Sequence, residues 1–282
     1  MRAGSKVNIH WTNFQYGMAY VMLGRTERLE DIFISGELDV SQIKADPKAL
    51  EESKRLEEIF NQSEKEQEEK RAKCWKISYL NVRSMKSTDG HAKDVERDNA
   101  IMDADMIGLG ETWLEKDQQV HFDGYSGYFA NFGNGKGVAG YSKIDLVAQP
   151  ETISTETYSG IFFKAKDFHI AFLYVSSNCK KADVFNLLDS WIEKTMPTAV
   201  IGDINEDFLK GEKMKKNSTK FVSMMMDRGF HQQINEPTRV SGSGLDHLYT
   251  NDAMKIKGIS TQINGVYFSD HDLVSLYVSK EK

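Results

Sequence analysis

Cysteine and proline are scarce in this chain of 282 residues: there are two cysteines and four prolines. Cys74 and Cys179 lie far apart and lack metal-ligand spacing. Neither a disulfide-built scaffold nor a cysteine-held metal is expected, and the pair reads as free thiols of a reducing nuclear or cytoplasmic compartment. No apolar run nears the ~20 residues of a membrane span. The start "MRAGSKVNIHWTNF" lacks the apolar core of a signal peptide. No membrane partner is therefore expected. Positive charge is not in excess either. The formal net charge is −6, whereas a nucleic-acid binder usually shows a basic patch. What is present is 40% hydrophobic and 11% aromatic residues, the composition of a packed globular protein.

The composition changes near residue 61. "DPKALEESKRLEEIF" (46–60) places Leu50, Leu56 and Ile59 at roughly helical spacing, and "NQSEKEQEEKRAK" (61–73) continues the pattern almost without apolar residues. The second stretch reads as a charged helical linker. From Trp75 onward short apolar runs alternate with polar, helix-like stretches. Strands are predicted over 75–82, 105–114, 137–143, 159–167, 168–177 and 198–205, and near 244–251 and 269–279. Helices are predicted over 89–104, 181–196 and 218–230. Alternation of this kind, with some adjacent strand pairs, indicates an α/β domain whose sheets are covered by helices.

Five predicted strands carry polar groups at an end. "ISYLN" stops at Asn81, "MIGLGE" at Glu111 and "TAVIGDIN" at Asp203 and Asn205; "GLDHLYTN" opens with Asp246, and "GVYFSDH" leads into Asp270 and His271. Ligands gather at one end of the strands in α/β architectures. Carboxylates brought to one point repel unless a divalent cation sits among them, and oxygen ligands with few other donors suit Mg²⁺ or Mn²⁺. A metal, a carboxylate able to activate water and a histidine for phosphate together suit phosphodiester hydrolysis. Each residue also has a plain structural explanation. Asp203, Asn205 and Ser269-Asp270-His271 could be turn or cap residues. Glu111 could be a solvent-facing strand end, His247 reads as a surface residue, and Tyr174 suits a core.

Seven stretches, in order over residues 75–278, carry a resemblance. They are "LNVRSM", "IGLGETWL", "GKGVAGYSK", "FLYVSS", "VIGDINEDF", "INEPTRVSGSGLDHLYTN" and "YFSDHDLV". Together they resemble the endonuclease/exonuclease/phosphatase superfamily, the DNase I-like proteins, and within it the endonucleases of mobile elements. The resemblance implies a two-sheet β-sandwich flanked by helices over 74–282, acting on DNA with Mg²⁺ (or Mn²⁺). Glu111 would be the principal metal ligand, with Asp270 and Asn81 helping. Asp203 would deprotonate the attacking water, with Asn205 holding that water or the phosphate. His271, oriented by Asp246, and the Tyr174 hydroxyl would contact the scissile phosphate. A phosphodiesterase or phosphatase for lipids or nucleotides is the alternative within the fold, and a decayed binding module the alternative outside catalysis.

The chain departs from the family's pattern. Arg83 stands where some members have an acidic residue, and Trp113 where some have a lysine. A phosphate-binding Asn after Tyr174 falls between Ser177 and Asn178, and Gly140 replaces a bulkier strand residue. "KGEKMKKNSTK" (210–220) is a basic loop suited to a phosphate backbone or to solvent. "GNGKG" (133–137) lacks the spacing of an ATPase loop. Residues 14–56 resemble the C-terminus of PIF-like helicases, including those of Helitron-type transposons, with Arg25 in the nucleotide-sensing place. On that resemblance 1–60 is a helicase remnant, 61–73 its linker, and no ATPase activity is expected.

Overall fold

The computed structural model describes residues 7–10, 32–35, 47–86, 90–133, 135–213 and 220–280. The chain divides into two compact units, Met1–Lys70 and Arg71–Lys282. In the first, β1 (Val7–His10) and β2 (Ile32–Ser35) pair in parallel. The predicted helix and linker form one helix, α1 (Pro47–Lys73). Most of the helicase-like stretch, Arg25 included, lies outside the described residues.

The second unit holds two mixed sheets of six strands. The first contains β3 (Cys74–Asn81), β4 (Met106–Gly110), β5 (Ser126–Ala130), β6 (Val138–Ser142), β13 (Ile259–Asn264) and β14 (Leu273–Ser279), in the order β13-β14-β3-β4-β6-β5. The second contains β7 (Glu151–Ser154), β8 (Tyr158–Lys164), β9 (His169–Val175), β10 (Thr198–Asp203), β11 (Phe230–Gln232) and β12 (Asp246–Asn251), in the order β11-β12-β10-β9-β8-β7. One parallel pair lies at the middle of each sheet, β3 with β4 and β9 with β10; the other pairings are antiparallel.

Parallel neighbours need a crossover, and helices supply it. α2 (Ala92–Arg97) and α3 (Asn99–Met102) connect β3 to β4, and α4 (Lys181–Trp191) connects β9 to β10. The single helix predicted over 89–104 is broken at Asp98, whose extended backbone and side chain cap α3 through the amides of Ala100 and Ile101. α5 (Phe208–Lys213), α6 (Lys220–Met226) and α7 (Asp252–Ile256) complete the helices among the described residues.

The central core lies between the sheets, where Ile77, Tyr79 and Met106 of one meet Phe163, Phe172 and Ile201 of the other. Val95 and Ile101 cover the far side of the first sheet, and Val184, Phe185, Leu188 and Phe221 that of the second. Strands buried on both faces read as continuous apolar runs, and "FHIAFLYV" and "TAVI" read so. Gly108 and Gly140 are paired neighbours in β4 and β6. A Cβ at Gly140 would lie 2.6 Å from the Phe163 ring, and one at Gly108 would lie 2.4 Å from that of Phe172. The Phe163 ring therefore accounts for Gly140, and the Phe172 ring for Gly108. Edge strands β5, β7, β11 and β13 carry little apolar pattern, and the sequence reading does not include them.

A Cβ at Gly202 would lie 2.1 Å from the Leu173 carbonyl oxygen. Backbone cannot yield there without disturbing the β9–β10 pair. Gly202→Ala is expected to lower stability by about 2–3 kcal/mol, read by denaturant unfolding; a midpoint unchanged from wild type would contradict this packing.

Candidate functional site

The strand directions bring the polar ends together. β3, β4, β9 and β10 finish at one end of the sandwich, and the antiparallel strands β12 and β14 begin there. Asn81 pairs with Gly110, the residue before Glu111. Asp203 pairs with Tyr174 on one side and with Asp246 on the other. Across the sheets, Asn81 Nδ2 donates to Asp203 Oδ2 at 2.8 Å. The Ser269 hydroxyl donates to the Asn81 carbonyl at 2.7 Å, which ties the segment before β14 to the end of β3.

Asp203 is 1% exposed and Asp246 fully buried. Burial, followed by the charge of Asp246, pushes the Asp203 carboxyl up to about 7, although His271, the Asn205 amide and Asn81 pull the other way. Asn205 sits at φ 50°; its amide donates to Asp203 Oδ1 at 2.9 Å and its side chain donates to the Val175 carbonyl at 3.2 Å. Asn205 therefore fixes Asp203 from the backbone while Asn81 fixes it from the side chain.

His271 is 4% exposed, and its Nδ1 lies 2.8 Å from Asp246 Oδ2. Burial opposes the imidazolium. The hydrogen bond and charge of Asp246, with Asp203 and Asp270 adding, outweigh it and raise His271 to about 9. Nδ1 therefore donates to Asp246. Thr238 Oγ1 donates to the same Oδ2 at 2.9 Å, while Asp246 Oδ1 has no hydrogen-bond partner among the described residues. Thr238 was not singled out from the sequence, although "EPTRV" stood among the matching stretches.

Glu111 follows β4 at φ 51°. Its loop is fastened on both sides by backbone bonds. Ser84 N donates to the Glu111 carbonyl at 2.9 Å, and Trp113 N donates to the Lys136 carbonyl at 2.9 Å. Gly133, Lys136 and Gly137 thus brace the Glu111 loop, and Gly133, Gly135 and Gly137 all take positive φ. Trp113 Nε1 reaches Glu111 Oε2 at 3.4 Å. Tyr174 is buried; burial first, and then Glu111 and Asp203, push its phenol well above the ordinary range, with a hydrogen bond to Glu111 contributing. Tyr79, unnoticed in the sequence, puts its hydroxyl where a Cβ at Gly110 would come within 2.0 Å. Burial, then Asp203 and Asp246, push that phenol up as well.

Three expectations fare differently. Asp270 has Arg83 on Oδ1 at 3.0 Å and Arg239 Nε on Oδ2 at 2.8 Å. Burial would raise its carboxyl, but Arg239, His271 and Arg83 hold it below the usual value. Ser177 and Asn178 are exposed, and Asn178 Oδ1 accepts from Ser176. His247, read as a surface residue, is fully buried. Its Nε2 lies 2.7 Å from the Glu206 carbonyl and its Nδ1 2.6 Å from the Tyr249 hydroxyl. A carbonyl only accepts, so Nε2 carries the proton. Burial lowers this imidazole to about 4, so it stays neutral and serves the packing. The basic loop falls largely on 214–219, outside the described residues.

Asp203, Asp246 and His271 offer ligand atoms within 4.8 Å of one another, a buried group that includes neither Glu111 nor Asp270. His271 Nδ1 is committed to Asp246, so the group already has its own cation. Glu111 is only partly buried, and its carboxylate receives one long bond from Trp113 and the Tyr174 contact. Asn81, whose register partner Gly110 precedes Glu111, adds an amide oxygen, and donors of this kind fit a hard cation. Asp270 already accepts three hydrogen bonds from two guanidiniums, of the roughly four a carboxylate can take.

The raised values of His271 and Asp203 give the same sign of pH dependence. The Asp246–His271 pair contributes fully below about pH 6.5 and is lost as pH rises through about 9. Keeping Asp203 ionised costs increasingly from about pH 4 to about 7. In chelator, these two groups are expected to make stability fall as pH rises through that range, His271 by on the order of 3 kcal/mol. The check is thermal unfolding against pH with His271→Gln as control; an identical slope for both proteins would refute the ion pair.

No protein-family profile matches the sequence, and no curated protein matches it. Solved structures do match. An AP endonuclease from Archaeoglobus fulgidus superposes with TM-score 0.57 at 17% identity, over 73% of this chain and 99% of its own. The endonuclease domain of TRAS1, a telomere-specific non-LTR retrotransposon, gives 0.54 at 13% identity, over 74% and 100%. A variant of the 3′ phosphatase NExo from Neisseria, bound to product DNA hairpin, gives 0.55 at 15% identity, over 73% and 99%. The fold of the second unit is the DNase I-like α/β sandwich.

Proposed function

We propose that this chain is a Mg²⁺-dependent nuclease that hydrolyses a DNA phosphodiester, the endonuclease of a mobile element. The observation that carries the reading is the buried Asp203, held by Asn81 and Asn205 and facing the Asp246–His271 ion pair. Structural likeness to a retrotransposon endonuclease and to AP endonucleases supports it.

Each residue then has a task. Asp203 accepts the proton of the attacking water; a carboxylate with a raised value is a better base near neutral pH. Asn81 and Asn205 hold it in one orientation. His271, kept charged by Asp246, stabilises the phosphate as negative charge grows on it. Tyr174 donates its phenolic hydrogen from the same strand register. Glu111, with Asn81, would hold the cation, which when bound supplies Lewis-acid stabilisation of the phosphate oxygens. Mn²⁺ would suit the same oxygen donors.

Purified protein with Mg²⁺ is expected to nick supercoiled plasmid, and chelator to abolish nicking. Glu111→Gln should lower the rate by about two to three orders of magnitude without a change in fold, and should weaken Mg²⁺ binding in calorimetry. Equal rates and equal binding would remove Glu111 from the metal. Asp203→Asn should cost about 10²–10⁴-fold while leaving Mg²⁺ affinity nearly intact. Hydrolysis of a phosphoinositide without nicking of any nucleic acid would replace DNA by lipid as substrate. A folded protein that hydrolyses neither would be a binding module.

A further inference from the structure

Asp270 lies at the outer edge of the site, between two guanidiniums. Arg83 Nη1 reaches Oδ1 at 3.0 Å, while Arg239 Nε and Nη2 both reach Oδ2, at 2.8 and 2.5 Å. The side chains of Arg83, Arg239 and Asp270 are 51%, 33% and 31% exposed. Ion pairs this open to water contribute little stability, so stability alone does not explain two arginines on one carboxylate. The trio carries a net positive charge beside Asn81 and His271 of the site.

Backbone bonds fix its place. Arg239 pairs with His271 in a β-bridge, Val240 N donates to the Asp270 carbonyl at 3.0 Å, and Asp272 N donates to the Thr238 carbonyl at 2.9 Å. Arg83 N donates to Asn81 Oδ1 at 3.1 Å. The backbone of each arginine is therefore anchored beside a residue of the site, Asn81 or His271, and Asp270 holds the guanidiniums. A guanidinium has five donors. Arg83 uses one on Asp270 and Arg239 uses two, so the fork can take a second anion without releasing the first.

We propose that Arg83 and Arg239, oriented by Asp270, form a phosphate-binding fork that receives a backbone phosphate of the substrate beside the one that is cut. The inference rests on the nuclease reading. Planar guanidiniums match phosphate oxygens in pairs. Asp270 is then a positioning residue whose carboxylate aims the fork and does not coordinate the cation. A fork at the rim also accounts for how a chain of net charge −6 admits a polyanion: the positive charge stands where the backbone arrives.

The test uses the full chain and a fluorescein-labelled DNA duplex, with Ca²⁺ in place of Mg²⁺ to slow cleavage, and follows anisotropy across a series of NaCl concentrations. Arg83→Ala and Arg239→Ala are each expected to weaken binding about tenfold and to lower the slope of log K against log salt by about one. Arg83→Lys keeps the charge and should keep the slope. Asp270→Asn should leave the Mg²⁺ affinity, read by calorimetry without DNA, equal to that of wild type. Unchanged slopes in both alanine variants, alongside a wild type that binds and nicks DNA, would overturn the fork and leave the nuclease reading standing. Loss of Mg²⁺ binding in Asp270→Asn would make Asp270 a ligand and overturn its positioning role. A wild type that binds no duplex at any salt would overturn the nuclease reading, and the fork with it. If an alanine variant melts early in circular dichroism, Arg83→Gln and Arg239→Gln provide the same slopes.

Discussion

Two carboxylates, Asp203 and Asp246, occupy one register position at the ends of neighbouring inner strands of a sheet. Left alone, that arrangement would be costly, since both are buried and carry the same charge. Much of the surrounding structure acts to make it tolerable. His271 supplies a cation on one side, Thr238 a hydroxyl, Asn81 an amide from the opposite sheet and Asn205 a backbone N–H. Asp203 still keeps a raised value. The fold holds a proton acceptor that water alone would have left weak.

Holding these groups needs backbone conformations that ordinary residues avoid. Glu111, Arg83 and Asn205 all take φ near +50°. Asn adopts this region readily; Glu and Arg do so at a cost. The cost is met by fastening. The segment after β3 runs beside the Glu111 loop, with Val82 N on the Gly110 carbonyl and Met85 N on that of Thr112. The glycines around 133–137 let the other side of the loop approach closely. Tyr79 fills the space beneath Gly110, so the residue before Glu111 has no room for a side chain. Among the described residues the positive-φ positions other than glycine, Arg83, Ser84, Glu111, Trp113 and Asn205, all lie in the loops that follow β3, β4 and β10.

The strand ends were legible because a buried strand that stops at Asn, Glu or Asp breaks its own pattern. Asn81, Glu111, Asp203, Asp246 and His271 stood out for that reason, and the strand directions bring them to one end. What each touches was not legible. A sequence does not show that Asp203 faces Asp246, that Tyr79 reaches under Gly110, or that Arg83 and Arg239 converge from positions far apart in the chain. His247 was misread because a polar residue next to Asp246 looks solvated, whereas alternation along β12 turns it toward Phe208 and Phe221. Strands β7 and β13 were missed because half-exposed edge strands carry too few apolar residues to reveal their period.

Asp270 and His271 show how neighbouring residues can divide an electrostatic task. Asp270 stands at a bend and His271 in the bridge to Arg239, just before β14, and their side chains part there. His271 turns inward to Asp246, and Asp270 turns outward to Arg83 and Arg239. The inner partner is a carboxylate and the outer partners are cations, so each residue of the pair is neutralised by a different layer. Moving either by one position would exchange the two environments: a histidine would meet two guanidiniums, and a third carboxylate would enter the core beside Asp203 and Asp246. The order Asp-His at this point is therefore fixed by charge, independently of which substrate the site receives.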